Sequence, residues 1–127
     1  MYGYNGKIAH IDLSTSTVTI EEPTEDFYRT YLGGWGFITY YLLRETPPGL
    51  DPLGPENRLI FATGPVTGAP LAGSGRNAVG AKSPLTGAFG ASEVGGYFGA
   101  EIKHAGVDAL VISGQASSPV YLWIHNG

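Results

Sequence analysis

Gly73-Ser74-Gly75-Arg76-Asn77-Ala78-Val79-Gly80-Ala81-Lys82 reads as a glycine turn that releases into a strand of small residues. Successive side chains on a strand alternate between faces, so Arg76, Ala78, Gly80 and Lys82 share one face and Asn77, Val79 and Ala81 the other. At the usual rise Arg76 and Lys82 stand about 20 Å apart, too far to clasp one phosphate together. The floor between them is nearly bare of side chain, which suits a broad ligand or a closely packed second layer.

The elements on either side follow from period and punctuation. Downstream, Ser83-Pro84-Leu85-Thr86-Gly87 is a turn, and Gly95-Gly96 leads into a helix over Tyr97 to Ala105. There Phe98, Ile102 and Ala105 recur at i, i+4 and i+7, and Gly106 provides the C-terminal cap. Leu110-Val111-Ile112 and Val120-Tyr121-Leu122-Trp123-Ile124 read as strands. Upstream, Leu59-Ile60-Phe61-Ala62 is an apolar run of strand length. Trp35 to Glu45 is a helix ended by Pro47-Pro48. Thr24 caps a shorter helix that carries Glu25 and Asp26 at its positive end and is closed by Gly33-Gly34. Lys7 to Leu13 and Val18-Thr19-Ile20 form a β-hairpin. The expected class is α+β, a mixed or antiparallel β-sheet with two or three short helices, in a single domain over residues 1–127.

Composition bounds the function. The chain has 127 residues, 43% of them hydrophobic, which is enough for a real core, and 20 Gly with 9 Pro favour turns over a helical bundle. A net charge of -4 without any basic cluster argues against nucleic acid as a partner. With no Cys, disulfides, thiolate zinc sites and cysteine-ligated clusters cannot be built from this piece of chain. Neither a signal peptide nor an apolar stretch of membrane-spanning length is present, so a soluble, cytoplasmic protein with no membrane partner is expected.

Two stretches offer backbone to a ligand. After Gly73-Ser74-Gly75, the Arg76 guanidinium either grips a phosphate bidentately or pairs with one of the 11 carboxylates. Gly95-Gly96 ahead of a helix either presents free N–H groups to an anion or is only a tight turn. His10, His104 and His125 lack metal-ligand spacing, and Glu101 with His104, three apart, fits a surface pair. No nucleophile-elbow, Walker or dinucleotide motif occurs in its required context.

The blocks Tyr31-Leu32-Gly33-Gly34-Trp35-Gly36, Pro55-Glu56-Asn57-Arg58-Leu59, Thr63-Gly64-Pro65-Val66-Thr67-Gly68, Gly75-Arg76-Asn77, Lys82-Ser83-Pro84-Leu85-Thr86-Gly87 and Gly95 to Lys103 stand in an order that resembles the N-terminal domain of tungsten-containing aldehyde:ferredoxin oxidoreductases. The resemblance implies half of a two-part α+β domain, taken from an enzyme several times longer. That family oxidises aldehydes to carboxylic acids on a tungsten (or molybdenum) bis-pterin and passes electrons through a 4Fe–4S cluster to ferredoxin.

By resemblance, Arg76 contacts pterin phosphate and the backbone of Glu93 and Gly95 approaches the phosphates. The Glu93 carbonyl then faces a bridging magnesium, and Asn77 and Gly96 join the cofactor-binding set. Where this chain has Glu93, family members commonly carry Asn. The cluster ligands, and with them the 4Fe–4S cluster, belong to the remainder of the enzyme chain, so this piece alone is not expected to be active. Two other readings stand beside it: a stand-alone structural or interaction module, a homodimer supplying the missing half, and part of a related aromatic acyl-CoA reductase.

Overall fold

A computed structural model describes residues 2–126. Ile8–Asp12 (β1) and Thr17–Glu21 (β2) make the expected antiparallel hairpin, followed by Glu25–Tyr31 (α1) and Trp35–Glu45 (α2). Then come Leu59–Thr63 (β3), Asn77–Lys82 (β4), Phe89–Val94 (β5), Phe98–His104 (α3) and Ala109–Ser113 (β6). The strands form one sheet in the order β2-β1-β6-β3-β4-β5. β1 and β6 run parallel and every other neighbour is antiparallel, so the fold is α+β with a mixed sheet and three helices.

Alternation along the strands divides the core in two. Ile8, Ile60, Ala62, Ala78, Ala109 and Val111 face Tyr28 of α1 and Phe37, Ile38, Tyr41 and Leu42 of α2. Ala9, Ile11 and Leu110, with Phe61 and Ile112 beside them, face Ile102 of α3 and Val107. Each fully buried large side chain contributes roughly 1.5–3 kcal/mol, so α1 and α2 with their aromatic cluster hold one face more firmly than α3 holds the other.

The bare floor of β4 is taken up by protein. A Cβ on Gly80 would lie 2.5 Å from Ile38 Cγ2 and 3.1 Å from the Gly90 carbonyl oxygen, so α2 and β5 already fill that space. A ligand cannot lie there. Lys82 is likewise committed, its ammonium donating to the Leu50 carbonyl at 2.8 Å.

Several expectations need correction. Thr24 occupies the N-cap of α1, but its carbonyl, not its side chain, serves the helix by accepting from the Phe27 N–H at 3.1 Å. Leu32, at φ 62, is the left-handed residue that closes α1, one position before the glycines. Gly33 (φ 123) instead turns the chain directly against β3, where an added Cβ would sit 2.3 Å from the Thr63 carbonyl oxygen. β5 escapes sequence reading because Phe89-Gly90-Ala91-Ser92-Glu93-Val94 has no apolar alternation; its ladder with β4 makes it a strand. Val120–Ile124 is not a strand here, since none of residues 119–126 pairs with the sheet. Among the described residues its strand-like composition finds no ladder partner.

Candidate functional site

The loop after β3 and the corner between α1 and α2 meet beside the start of β4. Together they enclose a depression of about 480 Å³, lined among others by Gly34, Trp35, Gly64, Thr67, Arg76 and Glu93. Arg76 immediately precedes β4 and its guanidinium is largely exposed. Its Nη1 lies 3.6 Å from Oε2 of Glu93 on the neighbouring strand β5. The register explains the meeting: Asn77 pairs with Val94 and Ala78 with Glu93, which brings the residue before β4 to the end of β5. Of the two readings of Arg76, the carboxylate pair is the one seen, and it stands at the mouth of a concave surface.

Thr67 braces this site, and sequence reading assigned it no role. Its hydroxyl donates to the Arg76 carbonyl at 2.9 Å and accepts from the Gly64 N–H at 2.8 Å, tying the loop after β3 to the backbone that carries the guanidinium. The sequence signal was available in the Thr63 to Gly68 block, but a hydroxyl's partners depend on the loop's path. The α1–α2 corner was missed in the same way. Its approach rests on the Gly34 N–H donating to the Thr63 carbonyl at 3.0 Å. The first turn of α2 carries no acidic residue, which leaves the dipole's positive end unopposed by local carboxylates.

The two glycine stretches do come together. A Cβ on Gly75 would fall 2.8 Å from the Gly96 carbonyl oxygen, so the turn before Arg76 touches the turn before α3. At Gly34, Gly73, Gly95 and Gly96 an added Cβ would meet nothing within 4 Å, so backbone at each stays open to approach. Gly95 and Gly96 do not line the depression; they form its neighbour on the α3 side.

Asn77 differs from its companions. It is only 3% exposed, its amide oxygen and nitrogen have no protein partner, and it packs against Gly99 and Thr67 beneath α3.

Elsewhere the ionisable groups make structural pairs. His10 Nε2 lies 2.7 Å from Glu21, whose same oxygen accepts from the Tyr41 hydroxyl at 2.7 Å. His104 and Glu101 form the exposed pair expected, at 3.8 Å. Among the described residues no cluster of three or more His, Asp or Glu is gathered that could hold a metal ion. None of their helices is long and apolar enough to cross a membrane.

The family model described as the N-terminal domain of aldehyde ferredoxin oxidoreductase matches residues 8–127. The chain belongs to this family. Tungsten-containing aldehyde ferredoxin oxidoreductases of Pyrococcus abyssi and Pyrococcus horikoshii are 51% and 49% identical to it over 126 residues. In each case the alignment covers 99% of this chain and 21% of the relative, so this aldehyde ferredoxin oxidoreductase N-terminal domain spans about a fifth of the proteins it matches. Among solved structures, the active-site complex BamBC of benzoyl coenzyme A reductase with 1,5-dienoyl-CoA superposes with a TM-score of 0.94 at 34% identity. That match covers 98% of this chain and 19% of the other.

Proposed function

We propose that this chain forms the phosphate-facing part of a tungsten bis-pterin site in a longer cytoplasmic enzyme. That enzyme oxidises aldehydes to carboxylic acids and delivers electrons through a 4Fe–4S cluster to ferredoxin. The observation that carries the reading is Arg76: an exposed guanidinium at the mouth of a glycine-lined depression, with its backbone braced by Thr67. A guanidinium on a rigid backbone suits phosphate oxygens, which it meets with two parallel N–H groups.

The residues present fit the phosphate end of such a cofactor. Open backbone at Gly34, Gly73, Gly95 and Gly96 leaves room for close approach, where a side chain would stand in the way. Arg76 would bind phosphate, with Gly95 and Gly96 alongside. The Glu93 carbonyl would offer a hard oxygen to magnesium, and Asn77 would support the set from beneath α3. The bound metal-pterin supplies the two-electron redox chemistry. This chain's share is to hold the cofactor's negative charge in place, and with no Cys it leaves the iron–sulfur ligands to other parts of the protein.

In the full-length protein, Arg76→Ala should lower both bound tungsten, measured by elemental analysis, and bound pterin, measured after release. Arg76→Lys should fall between, because a point charge replaces a planar fork. Unchanged occupancy in Arg76→Ala would remove Arg76 from the site.

A second reading, part of an aromatic acyl-CoA reductase, is favoured by the close superposition on the benzoyl coenzyme A reductase complex. The higher identity to the aldehyde oxidoreductases ranks it second. Assaying the full-length protein with an aldehyde and, separately, with a dienoyl-CoA thioester separates the two.

A further inference from the structure

The N-terminal loop stands behind both walls of the depression. Gly3, at φ 85, runs so close to the loop after β3 that an added Cβ would lie 3.0 Å from the Pro65 carbonyl oxygen. Tyr4 reaches the other wall, its hydroxyl donating to the Leu32 carbonyl at 2.9 Å in the corner between α1 and α2. The Tyr4 ring is fixed by the Tyr28 ring at 4.7 Å between centroids and by the Lys103 ammonium 5.2 Å from its own centroid. That ammonium also donates to the Gly3 carbonyl at 2.7 Å, and the Asn5 N–H donates to Asp108 at 3.0 Å, so the loop is tied down on either side of Tyr4. Burial first, then the charge of Asp108, raises the Tyr4 hydroxyl above its ordinary 10.0, which keeps the donor protonated.

The residue it holds is an unusual one for its place. The left-handed position that closes a helix commonly falls to glycine, because a Cβ there crowds the following carbonyl. Two glycines follow immediately, yet Leu32 takes the position at φ 62, lines the depression and is 60% exposed. A bulky residue persists in that region only where its surroundings hold it. Here its N–H donates to the Tyr28 carbonyl at 2.9 Å and its carbonyl is taken by Tyr4. The next links, Gly33 packed on Thr63 and the Gly34 N–H donating to the Thr63 carbonyl at 3.0 Å, set where the corner stands against β3.

We infer that Tyr4 is a positioning residue for the depression: its hydroxyl fixes the left-handed turn at Leu32 and, through Gly33 and Gly34, the wall that the α1–α2 corner contributes. That this wall matters for holding a cofactor rests on the functional reading above; that Tyr4 sets it does not.

Tyr4→Phe keeps the stacked ring and removes only the donor. In the full-length protein, hydrogen–deuterium exchange at the Gly34 amide should run about 2- to 10-fold faster in this variant, the range expected for one hydrogen bond. Glycine adopts positive φ freely, so in a Leu32→Gly background Tyr4→Phe should change that rate by less than ~2-fold. Bound tungsten and pterin should fall in Tyr4→Phe, by less than in Arg76→Ala, and Tyr4→Phe should cause no further fall in the Leu32→Gly background. A general loss of stability would instead act alike in both backgrounds. Three results would each overturn the inference: Gly34 exchange unchanged by Tyr4→Phe, equal acceleration in the two backgrounds, or full tungsten in Tyr4→Phe while Arg76→Ala loses it. Should Arg76→Ala also keep its tungsten, the functional reading falls and the exchange measurements alone decide the role of Tyr4.

Discussion

Arg76 Nη1 lies 3.6 Å from Glu93 Oε2, and both side chains reach solvent at the mouth of the glycine-lined depression. The guanidinium proposed to meet phosphate is thus already shared with a carboxylate of its own chain. Any anion that binds Arg76 competes with Glu93 and, once bound, is repelled by it.

Removing that competitor should tighten anion binding. Exposed ion pairs are worth about 0–1 kcal/mol, so Glu93→Gln should raise affinity for inorganic phosphate by no more than ~5-fold at low salt, read by titration calorimetry. The gain should shrink toward nothing near 1 M salt, where the screening length falls to about 3 Å. Unchanged or weaker binding in Glu93→Gln would show that the carboxylate does not hold Arg76 back.

Gly80 should resist enlargement. Because its missing Cβ would meet Ile38 Cγ2 at 2.5 Å, Gly80→Ala should destabilise the fold by about 1–3 kcal/mol, and Gly80→Val by more. Ile38→Ala in the Gly80→Ala background should recover part of the clash despite its own cavity. Thermal unfolding of the four proteins gives the coupling; strict additivity would mean that α2 does not press on β4 at this point.

Asp108 is fully buried and accepts from the N–H groups of Asn5 (3.0 Å) and Gly6 (2.8 Å) and from the Lys103 ammonium (2.8 Å). It ties the N-terminal loop to the end of α3. Asp108→Ala leaves the Asn5 and Gly6 N–H groups without their acceptor and the Lys103 ammonium with only the Gly3 carbonyl at 2.7 Å, so a loss of about 3 kcal/mol is expected in denaturant unfolding. A loss below 1 kcal/mol would mean that water replaces the carboxylate there.

Alkaline pH should weaken the fold through two tyrosines. Burial first, then the charge of Asp108, raises the Tyr28 hydroxyl far above its ordinary 10.0, and burial with the Glu21 hydrogen bond does the same for Tyr41. The folded state therefore keeps protons that the unfolded state releases. This contribution is intact below pH 10 and is lost as pH climbs above it, by about 1.4 kcal/mol per pH unit for each group. A Tyr28→Phe, Tyr41→Phe double variant should show a shallower alkaline decline in urea midpoints; an identical slope would exclude both residues as its source.

Much of this molecule could be read before it was seen folded. The hairpin, α2 from Trp35 to Glu45, and the apolar strands β3 and β6 announce themselves because period and capping residues act over a few positions. Family membership was legible for a similar reason, since ordered local blocks survive in linear sequence. β5 was not legible, because small residues without alternation become a strand only when β4 offers a ladder. The tail at 120–124 failed in the opposite direction, having the β-branched and aromatic residues of a strand but no ladder among the described residues.

For the site the division falls between kind and place. The residue types alone marked Arg76 and the glycine turns as material for an anion site, because a guanidinium and bare backbone keep their chemistry wherever they lie. That Glu93 faces Arg76, that Thr67 holds its carbonyl, and that the α1–α2 corner walls the depression depend on β3–β4–β5 register and on Gly33 lying against Thr63. Those contacts join positions well separated along the chain, and only packing sets the ångström-scale distances on which an ion pair or a hydrogen bond depends.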